Sequence, residues 1–236
     1  MIKAVLFDLD GTLLPREQDV FVKDYFGRMA KRLAPLGFEP KELVDAIWRG
    51  MGAMVAGDGT VTNEARFMQS FESVYGERTP LAIDELDRFY HEEFDLVRAS
   101  CGYDPEAKEA TALLKDLGYR LILATNPVFP RIATECRAGW AGLSLSDFEL
   151  VTTYENSTHC KPSLDYYRDI LAECELSAEE CIMVGNDVGE DMVAGELGLD
   201  TFLVPRNLIN REGADISQYK SGSLLGLVEY LKTQNS

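Results

Sequence analysis

The residues of this chain best suited to chemistry lie near its amino terminus, in the segment Asp8-Leu9-Asp10-Gly11-Thr12. A carboxylate is ionised at neutral pH, so one aspartate can act as a nucleophile without a base to activate it. The other can protonate a leaving group and later deprotonate water, provided that its pKa is raised. The alternative is that the two residues form only a turn and a helix cap after a strand.

A second pair of carboxylates, Asp187 and Asp191, follows another apolar run. If the segment is helical, this spacing places both side chains on one face, where like charges repel each other. Mg²⁺ commonly binds through a few carboxylates together with water and substrate phosphate, so the pair is a candidate metal site. The alternative is a solvated acidic start to a helix, favoured by the helix dipole, and Glu190 is expected to be such a residue.

Two further polar positions also follow apolar runs. Thr125 and Asn126 offer a hydroxyl, an amide and backbone N–H groups that could hold a phosphate oxygen, or could cap a helix beginning at Pro127. Lys161 supplies a compact charge that could screen both a phosphate and a nucleophile, although a surface lysine before a helix is common. Together the four elements supply what phosphoryl transfer to a carboxylate requires.

The elements that must position these residues are strands and helices in alternation. Short apolar runs are typical of buried parallel strands, and amphipathic segments lie between them. This order predicts an α/β fold with a doubly wound parallel sheet, in which ligands bind at the carboxyl ends of the strands. The predicted strands are 2–7, 119–125, 148–153, 181–185 and 200–204, and the clearest helices between them are 105–117 and 163–175.

Residues 16–99 interrupt this alternation and are expected to form a helical cap beside a core made of 1–15 and 100–236. Apolar residues recur there at helical spacing without strands between them. Asn63 is interpreted as the residue that caps one of these helices. The predicted cap helices are roughly 17–34, 40–55, 63–75 and 83–98.

The composition argues against several classes of function. A formal net charge of -17 opposes binding to nucleic acid or to an anionic membrane surface, because both are bound mainly through Lys and Arg. The same charge means that a phosphate substrate would need a local cation. The short apolar amino terminus does not resemble a signal peptide, and no segment resembles a membrane span. The expected location is therefore the cytoplasm.

The chain resembles the haloacid dehalogenase-like (HAD) superfamily of hydrolases in four motifs and in their order. The superfamily's Asp-x-Asp-x-Thr motif corresponds to 8–12, its strand-end Thr or Ser to Thr125, and its Lys-Pro to Lys161-Pro162. The acidic motif corresponds to 185–191, with Asn186 as a small departure. The resemblance implies a Rossmann-like core with an all-helical cap of the C1 class.

The resemblance also implies a role for each matching residue. Asp8 would attack phosphorus and form an aspartyl-phosphate, while Asp10 would act as general acid/base. Lys161 would steady Asp8 and the phosphate. The implied Mg²⁺ ligands are Asp8, Asp10 (through its backbone carbonyl), Asp187 and, as a second acidic partner, Asp191. The implied phosphate-binding residues are Gly11, Thr12, Thr125 and Asn126.

The implied activity is Mg²⁺-dependent hydrolysis of a small-molecule phosphate monoester. Asp10 favours this activity, because dehalogenases and phosphonate hydrolases of the superfamily lack that second aspartate. A sugar phosphomutase would keep both aspartates, and a metabolite-binding protein could keep the fold, so both remain alternatives. Trp48 and Arg49 are candidates to contact the leaving group, with core packing and solvent exposure as the alternatives. Neither the substrate nor the oligomeric state follows from the sequence.

Overall fold

A six-stranded sheet forms the centre of the computed structural model, which describes residues 1–234. The strand order is β3-β2-β1-β4-β5-β6, and each pair of neighbours is parallel. The predicted α/β fold with a parallel sheet is therefore confirmed. The strands are β1 (Ala4–Phe7), β2 (Arg120–Leu123), β3 (Leu150–Val151), β4 (Cys181–Gly185), β5 (Asp200–Leu203) and β6 (Lys220–Ser221).

The position of each strand in the sheet explains how readily it can be predicted from an apolar run in the sequence. Every residue of β1 and β4 is buried, because these two central strands are covered on both faces. Their sequences are accordingly continuous apolar runs. Strand β6 consists of two exposed residues at the edge of the sheet, so it carries no apolar signal and was not predicted.

Eight α-helices are found among the described residues. Five of them lie between β1 and β2, and the 3₁₀ helix Phe94–Ser100 lies between the fourth and the fifth. None of the helices in residues 1–234 has the length and apolar content needed to span a bilayer. The helices are α1 (Gln18–Leu33), α2 (Pro40–Val55), α3 (Asn63–Tyr75), α4 (Thr79–Glu92), α5 (Pro105–Asp116), α6 (Arg131–Trp140), α7 (Leu164–Glu173) and α8 (Leu224–Gln234).

The helical insertion packs directly onto the sheet. Phe21 of α1 and Phe71 of α3 belong to the same continuous apolar cluster as Val5 of β1 and Leu123 of β2. Side chains of α1 and α2 also line a cavity together with Asp8 and Thr125, which follow β1 and β2.

The chain enters and leaves this insertion at neighbouring points. The backbone N–H of Gly102 donates to the carbonyl of Pro15 at 2.7 Å, and Arg16 pairs with Cys101 in an isolated antiparallel bridge. The two connections between the insertion and the rest of the chain therefore lie side by side. The division of the chain into a cap at 16–99 and a core remains our proposal.

Asn63 links the insertion to the core and does not cap α3. Thr62 is the capping residue, and its hydroxyl accepts from the backbone N–H of Ala65 at 3.2 Å. The Asn63 side chain is fully buried, with Nδ2 3.2 Å from the carbonyl oxygens of both Pro127 and His159. The interpretation of Asn63 as a cap was wrong by one position, because the sequence offers two capping residues in a row.

Candidate active site

A cavity of about 550 Å³ lies where the carboxyl ends of the strands meet the helical insertion. Parallel strands end at the same edge of a sheet, which brings residues from distant parts of the chain to one place. Lys161, Thr12 and Gly11 are buried close to this edge. The predicted site residues that line the cavity are Asp8, Asp10, Thr125, Asn126, Asp187 and Asp191.

Asp8 lies directly after β1 and is held at both carboxylate oxygens. Oδ1 accepts from Lys161 Nζ at 3.0 Å, and Oδ2 lies 3.1 Å from Thr12 Oγ1. The Thr12 hydroxyl is also 3.0 Å from Oδ1 of Asn186, so its single proton can be donated to one oxygen at a time. Gly11, with φ +91°, makes the turn between these residues. A side chain there would overlap Asn186.

Lys161 is buried and bridges two carboxylates. Its Nζ lies 3.0 Å from Oδ1 of Asp8 and 2.6 Å from Oδ1 of Asp191. Burial alone would lower the pKa of Lys161, but Asp191 and Asp8 raise it well above its usual value. Burial raises the pKa of Asp191, and the ammonium of Lys161 opposes that rise. Lys161 is therefore a buried positive charge held next to the carboxylate of Asp8.

Asp191 has both carboxylate oxygens engaged by the protein. Oδ1 accepts from Lys161, and Oδ2 accepts from the backbone N–H of Asp187 at 2.9 Å. Its side chain fits only because residue 185 is glycine, since a Cβ at Gly185 would overlap the Asp191 carboxylate. This arrangement lets Asp191 hold Lys161 in place, and its role as a second acidic partner of the metal stays a prediction.

Removal of Lys161 is expected to destabilise the fold. The change Lys161→Met leaves Asp191 buried without a counter-charge and should lower the free energy of unfolding by about 3–5 kcal/mol. The double variant Lys161→Met/Asp191→Asn should recover most of this loss, because it removes the unpaired charge as well. Urea unfolding curves measure the effect.

The matched control is Lys41→Met, because Lys41 pairs with Asp45 on the surface and is 82% exposed at its side chain. That change should cost less than about 1 kcal/mol. If Lys161→Met were as stable as the control, the buried ion pair between Lys161 and Asp191 would be refuted.

Asp10 lies between two arginines that sequence reasoning missed. Its Oδ2 pairs with Nη1 of Arg137, and its Oδ1 is 3.4 Å from Nη1 of Arg16. Arg137 is fully buried, and its guanidinium stacks 4.2 Å from the ring centroid of Phe129. Burial lowers the pKa of Arg16, and Asp10 opposes that effect. The two cations fix the position of the Asp10 carboxylate at the cavity.

Asp187 lies in a turn and not in the expected α-helix. Its Oδ1 accepts from the backbone N–H groups of Gly189 and Glu190 at 2.8 and 3.0 Å. Its Oδ2 accepts from Nη1 of Arg211 at 2.9 Å, although the Arg211 side chain is 64% exposed. Asp191 precedes the following 3₁₀ helix, so the condition under which the two aspartates would share one face of a helix is not met.

The segment after β2 is also a turn, and no helix begins at Pro127. Helix α6 starts only at Arg131. The carbonyl of Thr125 accepts from two hydroxyls of the core, which hold the backbone in place. Nδ2 of Asn126 donates to Glu190 at 3.0 Å, and its Oδ1 is buried without a hydrogen-bond partner.

Glu190 differs from the expectation of a solvated residue. It lines the cavity, its side chain is part-buried, and it accepts the hydrogen bond from Asn126. Burial raises the pKa of Glu190, while Lys161 opposes the shift. Glu190 and Asn126 thus join the turn after β4 to the turn after β2.

The oxygens at this edge are of the kind that Mg²⁺ prefers. Carboxylates of Asp8 and Asp187 line one cavity, and Oδ1 of Asp10 is buried without a hydrogen-bond partner. In residues 1–234, no three His, Cys, Asp or Glu side chains are grouped closely enough to hold a metal by themselves. Mg²⁺ usually keeps several waters and binds one or two carboxylates plus substrate phosphate, so this donor set fits it.

A family model described as haloacid dehalogenase-like hydrolase matches residues 2–197 of the chain. The ribulose-1,5-bisphosphate 5-phosphatase of Halopiger xanaduensis is 30% identical over 217 residues, which cover 86% of this chain and 84% of that protein. Protein CbbY of Cereibacter sphaeroides is 27% identical over 211 residues, which cover 87% of this chain and 85% of that protein.

Among solved structures, the 2-haloacid dehalogenase of Pseudomonas syringae superimposes with a TM-score of 0.68. The match covers 99% of this chain and 100% of that chain, at 21% sequence identity. At this level of identity the likeness shows a shared fold.

Proposed function

This chain belongs to the haloacid dehalogenase-like hydrolase family and is a phosphatase, and we propose that it hydrolyses a small-molecule phosphate monoester with Mg²⁺ through a phosphorylated Asp8. The observation that carries the proposal is the position of Asp8 at the cavity, 3.0 Å from a buried and charged Lys161. This cation balances the negative charge of the nucleophile and of the incoming phosphate in a protein of net charge -17. We place the protein in the cytoplasm.

The first proposed step transfers the phosphoryl group to Asp8. A carboxylate oxygen of Asp8 forms a bond to phosphorus, and the bond from phosphorus to the ester oxygen breaks. The ester oxygen takes a proton from the carboxylic acid of Asp10 and leaves as an alcohol. Arg16 and Arg137 hold Asp10 in the place from which this proton is delivered.

The second proposed step restores the enzyme. Asp10, now a carboxylate, takes a proton from a water molecule as the water oxygen attacks phosphorus. The bond between phosphorus and Asp8 breaks, which regenerates the Asp8 carboxylate and releases phosphate. The hydroxyl of Thr125 and the backbone around Asn126 and Gly11 would bind the phosphoryl oxygens, with the Thr12 hydroxyl holding Asp8 in place during both steps.

Asp8, Asp187 and the backbone carbonyl of Asp10 would hold Mg²⁺ in this proposal. When bound, the ion would neutralise charge on the phosphate oxygens. Arg211 now pairs with the outer oxygen of Asp187, and because its side chain is largely exposed it can move away without cost to the core.

Removal of magnesium tests the metal dependence. Phosphate release from a panel of nucleotides, sugar phosphates, phosphoglycolate and p-nitrophenyl phosphate should fall at least about 10²-fold in EDTA and return when Mg²⁺ is added. Ca²⁺ is larger and takes more ligands, so it should restore little activity. Full turnover in EDTA would contradict the metal requirement. Isomerisation of a sugar phosphate without phosphate release would identify a phosphomutase instead.

A further inference from the structure

The helical insertion forms one wall of the active-site cavity, and this wall is apolar. It is formed by side chains of α1 and α2, none of which carries a charge. Trp48 and Val55 are 45% and 46% exposed, and Trp48 packs against Phe26 with ring centroids 5.4 Å apart. The side chains that form this wall are Phe21, Val22, Phe26, Trp48, Met51 and Val55.

The cations at the cavity lie beside the aspartates, and one of them, Arg16, also contacts the apolar wall at Phe21 and donates to Gln18, a polar residue of α1 that lines the cavity. Among the described residues that line it, Arg16 and Arg211 are the cations, and each is paired with a catalytic-end carboxylate. Arg16 also stacks 4.2 Å from the ring centroid of Phe21, although its Nε and Nη1 lack hydrogen-bond partners. Arg49 of α2 is exposed and does not line the cavity. Beyond Phe21, where Trp48 and Val55 form the wall, the described lining residues offer no cation to a second anion on the leaving group.

A second cavity of about 300 Å³ lies between the helical insertion and the core, and Glu64, Asp84 and Asp87 are among its lining residues. The two cavities share Tyr25, Met51, Val128 and Phe129 as lining residues. The hydroxyl of Tyr25 is 2.6 Å from that of Tyr90, so Tyr25 presents only its ring to the first cavity. Met51 is a flexible side chain that lines both cavities.

We infer that the leaving group is an apolar alcohol, so that the substrates are phosphate monoesters of aliphatic or aryl-alkyl alcohols. This inference rests on the proposed function. An apolar leaving group gains free energy in proportion to the area that it buries against the wall. An anionic group there would lose its hydration without a counter-charge to replace it. The second cavity provides room for a chain longer than the first cavity can hold.

A series of primary alkyl phosphates tests this inference, because their leaving groups are chemically alike. From n-propyl to n-hexyl phosphate, kcat/KM should rise about fourfold for each added methylene. 2-Phenylethyl phosphate should be cleaved at least as well as n-hexyl phosphate. 2-Phosphoglycolate and glycerol phosphate should be no better than n-propyl phosphate.

A matched pair of variants assigns the preference to the apolar wall. Val55→Lys should lower kcat/KM for n-hexyl phosphate at least about tenfold and leave n-propyl phosphate within about twofold. Val20→Lys on α1 is the control, because Val20 is 53% exposed and does not line either cavity. Val20→Lys should leave kcat/KM unchanged for both substrates.

Two results would overturn the inference, and they differ in what else they affect. If kcat/KM were independent of chain length, or if 2-phosphoglycolate were preferred, the inference of an apolar leaving group would be wrong. The proposed phosphatase function would still stand. Failure to release phosphate from every ester, including p-nitrophenyl phosphate, would overturn the proposed function together with it.

Discussion

Replacement of Asp8 by asparagine is expected to abolish phosphate release and to leave the fold intact. The amide has the same shape as the carboxylate, and Lys161 keeps its second partner, Asp191. An amide is not a nucleophile towards phosphorus, so kcat/KM should fall by at least about 10⁴-fold. Initial rates with p-nitrophenyl phosphate in Mg²⁺ measure the loss, and thermal unfolding followed by circular dichroism measures the fold.

The control for this change is Asp116→Asn, an aspartate exposed at the end of α5. Its rate and its thermal midpoint should match those of the wild type. Turnover retained in Asp8→Asn at a tenth of the wild-type rate or more would rule out Asp8 as the nucleophile. Loss of the thermal transition in Asp8→Asn would instead show that Asp8 is needed for folding.

Replacement of Asp10 by asparagine should separate the two chemical steps. An alkyl alcohol leaves poorly without a proton, so hydrolysis of n-hexyl phosphate should fall about 10²–10⁴-fold. p-Nitrophenolate leaves readily without one, so the first turnover with p-nitrophenyl phosphate should survive. Because the following attack by water needs a base, later turnovers should slow by a similar factor. Stopped-flow absorbance should therefore show a burst of one nitrophenolate per enzyme.

A different result would contradict the proposed role of Asp10 in proton transfer. If Asp10→Asn lost the same factor with both esters and gave no burst, Asp10 would have no role as acid and base. Its pairing with Arg16 and Arg137 would then serve to fix the loop after β1. The midpoint of thermal unfolding of Asp10→Asn should fall in either case, since two buried guanidinium groups lose their counter-charge.

Much of the site followed from the sequence because a parallel sheet imposes it. Apolar runs located β1 and β4, and the ends of such strands lie side by side at one edge. Asp8 and Asp187, which follow these two strands, could thus be predicted to lie at one cavity. Asp10, Thr125 and Asp187 line the same cavity for the same reason.

Arg137 could not be predicted, because the helix that carries it has little apolar signal. The buried face of α6 consists mainly of small residues, such as Ala133, Thr134 and Ala138. Small residues leave room for a long side chain to lie along the helix towards Asp10. From the sequence alone, a buried arginine on such a helix cannot be distinguished from a solvent-exposed one. The contact with Asp10 in the structure shows that Arg137 is buried.

The sequence located the acidic motif after β4 but did not reveal that its residues form a turn. The side chain of Asp187 satisfies the backbone N–H groups of Gly189 and Glu190, which stabilises a turn. Asp191 then turns inward to Lys161. Helical spacing alone cannot reveal such local hydrogen bonds, so Glu190 was also misjudged as solvated.

The most direct test of the central claim is to trap phosphate on Asp8. Asp10→Asn is mixed with ³²P-labelled p-nitrophenyl phosphate and Mg²⁺, quenched in acid after one turnover, and digested. The account predicts a labelled peptide that contains residues 8–12, with the label carried by Asp8 and released by hydroxylamine, as expected of an acyl phosphate. Label on another residue, or a nitrophenolate burst without protein-bound label, would contradict it.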